Sequence, residues 1–263
     1  MIQNLEFQYE LTAEYSDPVW DHSFSFLFLP TDTSQQKITE LEAVIPDCPN
    51  CCSSIDSFGN HRLYGRIEQP HTGFQIRISG TAQTGLNVFE EYTADPFDAL
   101  PLKAQTALTI PGDRIERLHA ELGLDQFVGT YEKVLRIMQG LHDSFDYLPG
   151  STTVHEPAEA ALRLGHGVCQ DYAHIMLSLL RMEGIPARYV TGMMLGEGAS
   201  HAWVEALCRG YWYGFDPTNS RLVDESYIRV SCGRDSGDCS IIRGTFRGLV
   251  NQTQTETVIV RQR

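Results

Sequence analysis

Three side chains in this 263-residue chain have the types and surroundings needed for nucleophilic chemistry: the thiol of Cys169, the imidazole of His201 and the carboxylate of Asp216. Cys169 lies in the run Gly165-His166-Gly167-Val168-Cys169-Gln170-Asp171-Tyr172-Ala173. Tyr172, Ala173, Met176 and Leu180 follow it at helical spacing, which predicts a helix with Cys169 in its first turn on the buried face. Gly184 and Pro186 end that helix. A cysteine on an apolar helix face is, by itself, a small core residue. A helix N-terminus changes its prospects, because the positive end of the dipole favours thiolate. The unpaired N–H groups of that first turn can also receive a developing oxyanion, and the Cys169 N–H is the expected donor.

The other two groups come from a predicted hairpin. Residues 187–194 and 200–207 read as strands, Cys208-Arg209-Gly210-Tyr211 as a tight turn, and residues 212–216 as the returning strand. With Arg209 and Gly210 as the two loop residues, Trp203 faces Asp216 and His201 lies two residues away on the same face. Diagonal neighbours of this kind are roughly 7–8 Å apart, within side-chain reach. An imidazole and a carboxylate therefore converge, and with the thiol they form a nucleophile, a base and an orienter. Gln170, Asp171, Tyr172 and Trp203 are expected to support the site or line its cleft rather than react.

The elements that must position these groups fall in two parts. Leu5, Phe7, Tyr9, Leu11, Ala13 and Tyr15 alternate with polar residues, the period of a strand with one buried face. Residues 23–29 and 74–79 repeat the pattern, and Gly and Pro punctuation between them predicts an antiparallel sandwich. Asp95-Pro96 and Leu100-Pro101 lie in a stretch with neither period and read as a linker. The expected division is 1–95 for a β-domain and 96–263 for a core with C-terminal strands. Asp113 with Glu116 predicts a short helix start, residues 127–145 carry helical spacing, and Thr153 with Glu156 predicts a helix running to Leu164.

Composition narrows the function. Lys and Arg total 20 against 34 Asp and Glu, a net charge of −14, which disfavours nucleic acid and anionic lipid as partners. No apolar run reaches the ~18 residues of a membrane helix, and the N-terminus lacks the pattern of a signal peptide. Together with an odd count of seven cysteines, this gives a cytoplasmic expectation. Cys48 and Cys51 have the spacing of half a zinc site, but Cys232 and Cys239 are too far apart for the other half. These four and Cys52 read as loop thiols, with no metal and no cofactor expected.

The segments 167–173, Gly184-Ile185-Pro186-Ala187-Arg188-Tyr189-Val190, Ser200-His201-Ala202-Trp203-Val204-Glu205 and Asp216-Pro217-Thr218 resemble the bacterial transglutaminase-like superfamily. Phe26-Leu27-Phe28-Leu29-Pro30 and Ser57-Phe58-Gly59-Asn60 resemble the β-domain that precedes this core in one bacterial branch, and Gly233-Arg234-Asp235 with Arg243-Gly244 resembles its tail. The resemblance implies an α+β fold: an antiparallel β-sandwich-like domain, then a papain-like core whose Cys-bearing helix packs on an antiparallel sheet. It implies a Cys–His–Asp order at Cys169, His201 and Asp216. The preferred reading is a cysteine hydrolase acting on peptide or isopeptide amides of a peptide or protein substrate through a thioester acyl-enzyme. Acyl transfer to amines, and a binding module without turnover, are the alternatives. Met193-Met194 stands after Gly192 where the branch often has an aromatic residue, and this segment is expected to border the cleft.

Overall fold

The computed structural model describes residues 1–46, 48 and 51–263, Pro96 by its backbone alone. Its N-terminal part contains β1 (Gln3–Leu29), β2 (Gln36–Val44), β3 (Cys52–Ile55), β4 (His61–Ile67), β5 (His71–Thr84) and β6 (Glu90–Glu91). There follow α1 (Asp113–Leu122), α2 (Thr130–Ser144), β7 (Asp146–Tyr147), α3 (Ala158–Leu164), β8 (His166–Gly167) and α4 (Cys169–Met182). The chain closes with β9 (Ala187–Met194), β10 (Gly196–Gly198), β11 (His201–Cys208), β12 (Tyr211–Asp216), β13 (Arg221–Leu222), β14 (Tyr227–Gly233), β15 (Ile242–Arg247) and β16 (Gln252–Gln262).

β1 is the spine of an eight-stranded antiparallel sheet. Its first half pairs with β5 and β16, its second half with β4 and β15. The pairing breaks between Glu14 and Val19, so the two halves fold over a shared core. The alternation read from the sequence is what fills that core: Leu5, Phe7, Tyr9, Leu11, Ala13 and Tyr15 are all buried, and Phe24, Phe26 and Phe28 meet them. The C-terminal strands β15 and β16, grouped by the sequence with the core, hydrogen bond to β1 instead.

The second sheet runs β13-β12-β11-β9-β14, with β6 beside β12. Ala202, Val204 and Ala206 on one face of β11 pack against Ala173, Met176, Leu177 and Leu180 of α4. Toward the β14 edge the sheet meets the N-terminal part, where Met193, Ile228 and Val230 enter the core built on β1. Met193 is therefore a core residue and not part of a cleft wall, a correction to the sequence reading. The outer edge of β14 is satisfied by two side-chain amides from the N-terminal part. Gln36 accepts from the Arg229 N–H and donates to the Arg229 carbonyl, both at 2.8 Å. Asn60 does the same for Cys232, also at 2.8 Å.

Three further details differ from the sequence reading. Asp113 does not cap α1: the cap position is Gly112, and the Glu159 carboxylate accepts from the N–H groups of Gly112, Arg114 and Ile115 at 3.1 Å. A distant carboxylate leaves no local signal in the sequence. Residues 153–156 form a turn, and α3 begins only at Ala158 after Pro157. The 96–102 segment is a 3-10 helix with Ala99 and Leu102 buried, and Arg181 donates to the Leu102 carbonyl.

Asn60 closes two buried backbone groups, and each such group left unpaired costs about 1–3 kcal/mol. Asn60→Ala should therefore lower unfolding stability by about 2–4 kcal/mol, measured in urea. It should do so in one transition, because the clamp joins the two parts.

His22 gives a pH dependence. His71 Nδ1 donates to the Gln69 carbonyl at 2.9 Å, and His22 Nδ1 lies 3.2 Å from His71 Nε2. Burial, with His71 beside it, pushes His22 down to about 4, and burial does the same to His174. Between about 4 and the ordinary 6.5 the unfolded chain binds more protons than the folded one. The contribution of these two rings to stability should rise with pH through that window and level off above it, where the raised His201 takes over with the opposite sign. The slope of Tm against pH should be shallower in His22→Phe, with the remainder due to His174.

Candidate active site

α4 starts where Cys169 needs it to start. Asp171 Oδ2 accepts from the Val168 N–H at 2.8 Å and from Thr152 Oγ1 at 2.6 Å. This caps the helix one residue before the thiol. A Cβ at Gly167 would stand 2.5 Å from Asp171 Oδ2, so only glycine allows the carboxylate to fold back this way. Asp171 is fully buried, and burial raises its pKa against the pull of Thr152 and Val168.

The hairpin turns at Arg209 and Gly210, with φ of 53° and 86°, the left-handed pair of a two-residue I′ turn. Val204 pairs with Phe215 and Cys208 with Tyr211, the register expected from the sequence. This brings His201 Nε2 to 2.7 Å from Asp216 Oδ2. A carboxylate can only accept here, so Nε2 carries a proton and Nδ1 is the nitrogen left for the thiol. The Cys169 side chain lies close enough to His201 to help raise its pKa.

Asp216 is fully buried and accepts five hydrogen bonds. Oδ1 takes the N–H groups of Thr218 (3.0 Å) and Asn219 (3.1 Å); Oδ2 takes His201 (2.7 Å), Asn219 Nδ2 (2.7 Å) and Tyr227 OH (2.8 Å). Burial would raise its pKa, but His201, Asn219 and Tyr227 outweigh burial and hold it below the ordinary range. His201 moves the other way. Burial disfavours its charge, yet the hydrogen bond to Asp216 and the nearby Cys169 side chain raise it to about 10. The ring therefore stays protonated at neutral pH.

Of the expected supporting residues, Trp203 is 1% exposed and stacks on His201 with centroids 6.4 Å apart. Tyr172 donates its hydroxyl to the Phe145 carbonyl, and Gln170 Nε2 donates to the Val154 carbonyl at 3.1 Å. The sequence reading missed Asn219 and Tyr227. Asn219 sits directly after the Asp216-Pro217-Thr218 motif and was within reach; Tyr227 comes from another strand and carries no local mark. All seven cysteines are free. Cys48 and Cys51 sulfurs are 3.4 Å apart, while Cys232 and Cys239, read as loop thiols, are buried in β14 and in the core under α4. Among the described residues no three metal-ligating side chains converge.

A thiol-bearing helix packed on an antiparallel sheet, behind a β-region that shares its strands, defines a papain-like core of the α+β class. Residues 125–217 match the transglutaminase-like superfamily, and residues 5–83 match the bacterial transglutaminase-like N-terminal region. The chain belongs to this superfamily, in its bacterial branch. Among its relatives, a Mycobacterium leprae protein is 44% identical over 184 residues, 65% of this chain. The match spans 62% of that protein, less than two thirds of its length. A Mycobacterium tuberculosis protein is 28% identical over 263 residues, covering 88% of this chain and 83% of its own. A candidate cysteine protease from Cytophaga hutchinsonii shares the fold, with a TM-score of 0.79 at 22% identity over 100% of this chain and 91% of that one.

If the thiol helps to hold the His201 proton, Cys169→Ala should lower the titration midpoint of that ring, read from its imidazole NMR signals. An unchanged midpoint would assign the effect to Asp216 alone. Tyr227→Phe removes one bond to a charged acceptor and should cost about 1.5–3 kcal/mol in urea unfolding.

Proposed function

We propose that the protein is a cysteine hydrolase that cleaves peptide or isopeptide-type amides through a thioester acyl-enzyme. The observation that carries this reading is the hydrogen bond from His201 to the buried Asp216 carboxylate, with Cys169 near enough to the same ring to raise its pKa. Cys169 and His201 act as a thiolate–imidazolium pair. Sγ attacks the amide carbonyl, and the oxygen that gains charge is received by the Cys169 N–H in the first turn of α4. His201 Nδ1 passes its proton to the departing amine while Asp216 keeps the ring in place through Nε2. Water then attacks the thioester, giving its proton to His201, and Cys169 leaves as thiolate.

At pH 6, limiting iodoacetamide should alkylate Cys169 before Cys51 or the exposed Cys52 in the folded protein. Peptide mapping that finds another thiol labelled first would remove Cys169 from the role. Cys169→Ala should abolish turnover and His201→Ala should come close to it. Asp216→Asn should lose roughly 10–10³-fold, less than the ~10⁴-fold of a serine enzyme, because a thiolate needs less help from its orienter. Incubation with a glutamine donor and a primary amine separates the two acyl acceptors. Ammonia release without amine incorporation supports hydrolysis, and efficient incorporation would make the protein a transamidase.

A further inference from the structure

The loop from β7 to α3 is bound to the residues that flank the thiol. Tyr147 pairs with Gly167, and the Leu148 N–H donates to the Gly167 carbonyl at 2.8 Å. Thr152 Oγ1 reaches Asp171 at 2.6 Å, and Gln170 reaches the Val154 carbonyl at 3.1 Å. The loop backbone is thus tied down on both sides of Cys169. Its large apolar side chains nevertheless face water: Tyr147 is 54% exposed, Leu148 47% and Val154 66%. One exposed apolar side chain is ordinary, whereas a group of them on a fixed backbone beside a nucleophile marks a contact surface. Tyr147 is close enough for Cys169, after burial, to raise the pKa of its phenol.

The stretch of chain that carries this loop is one-sided in charge. Between Arg136 and Arg181 the only Lys or Arg is Arg163, and it is paired with Glu159 at 3.1 Å. Asp143 and Asp146 are exposed and Glu156 is partly so.

We propose that this loop recognises the acyl donor of the reaction above. The donor is then a peptide with a large apolar residue at the attacked carbonyl and a cationic rather than acidic neighbour. The inference rests on the thiol reading of the preceding subsection, and continuity with the thiol identifies the occupant as the substrate itself. Tyr147, Leu148 and Val154 cover the apolar side chain, while Asp143, Asp146 and Glu156 favour Lys or Arg nearby and repel Asp or Glu.

The test uses three peptidyl chloromethyl ketones on the full chain: Lys-Ala-Leu, Lys-Ala-Ser and Glu-Ala-Leu. In each the thiolate displaces chloride from the methylene carbon, forming a thioether and releasing chloride ion, and mass spectrometry follows the rate at Cys169. The leucyl reagent should react roughly 10–100-fold faster than the seryl one, the value of burying a leucine side chain. The lysyl reagent should outpace the glutamyl one at low salt by several-fold, with the gap closing at about 0.5 M salt. Val154→Ser should shrink the leucyl-to-seryl ratio, a comparison internal to each protein. Equal leucyl and seryl rates, with iodoacetamide still selecting Cys169, would overturn the apolar part and leave the thiol reading standing. Equal lysyl and glutamyl rates at low salt would overturn the charge part. Failure of iodoacetamide to select Cys169 would overturn both the site and this inference.

Discussion

The buried carboxylate of Asp216 is the constraint on which the rest of the site depends. A fully buried carboxylate is costly unless nearly all its lone pairs are occupied, and five donors occupy them here. Each donor in turn becomes fixed. Thr218 and Asn219 define the turn after β12, His201 loses its freedom to rotate, and Tyr227 joins the end of β12 to β14. Because β14 is an edge strand whose outer groups are closed by Gln36 and Asn60, the N-terminal part reaches the His201 geometry without touching it. This gives a physical reason for a β-region of more than eighty residues to precede a compact catalytic-type core.

A second set of buried charges holds the same sheet. Arg188 Nε lies 2.6 Å from Glu205, and Arg229 bridges Glu205 at 3.3 Å and Glu90 at 2.9 Å, with Arg188 also 2.8 Å from Glu90. Four short strands, β9, β11, β14 and β6, are thereby tied by groups that tolerate no slip in register. Such a network is weak evidence for stability, since desolvation offsets most of the attraction. Its effect is on register. A one-residue slip of β11 would move Glu205 to the face occupied by Ala202, Val204 and Ala206 against α4, and would carry His201 away with it.

What could be read from the sequence was whatever is encoded locally. The alternation from Leu5 to Tyr15, the helical spacing after Cys169 and the two-residue turn at Arg209-Gly210 depend on neighbours in the chain, and the structure has all three. The convergence of His201 and Asp216 followed from one turn and a count of residues. Long-range partners were not legible. Glu159 capping α1 and the C-terminal strands joining β1 link residues far apart in the chain, and Tyr227 reaches Asp216 from a strand whose placement no tight turn fixes. Met193 was misplaced for the same reason: the end of β9 enters a second core that only the tertiary arrangement supplies.

Two buried carboxylates near the thiol receive opposite treatment, and the difference lies in their donors. Asp216 has five and is held below the ordinary range; Asp171 has two, leaves Oδ1 without a partner and is raised. The direction suits each position. Asp216 must stay ionised to keep the proton on His201. Asp171 lies two residues beyond Cys169, where a full negative charge would oppose a thiolate and weaken the helix N-terminus that supports it. Its role as a cap needs only acceptor oxygens for Val168 and Thr152, so sparing it further donors costs the cap nothing and lessens the repulsion. Donor count, set by backbone placement, thus separates one carboxylate that holds a proton on its partner from another that shapes the helix.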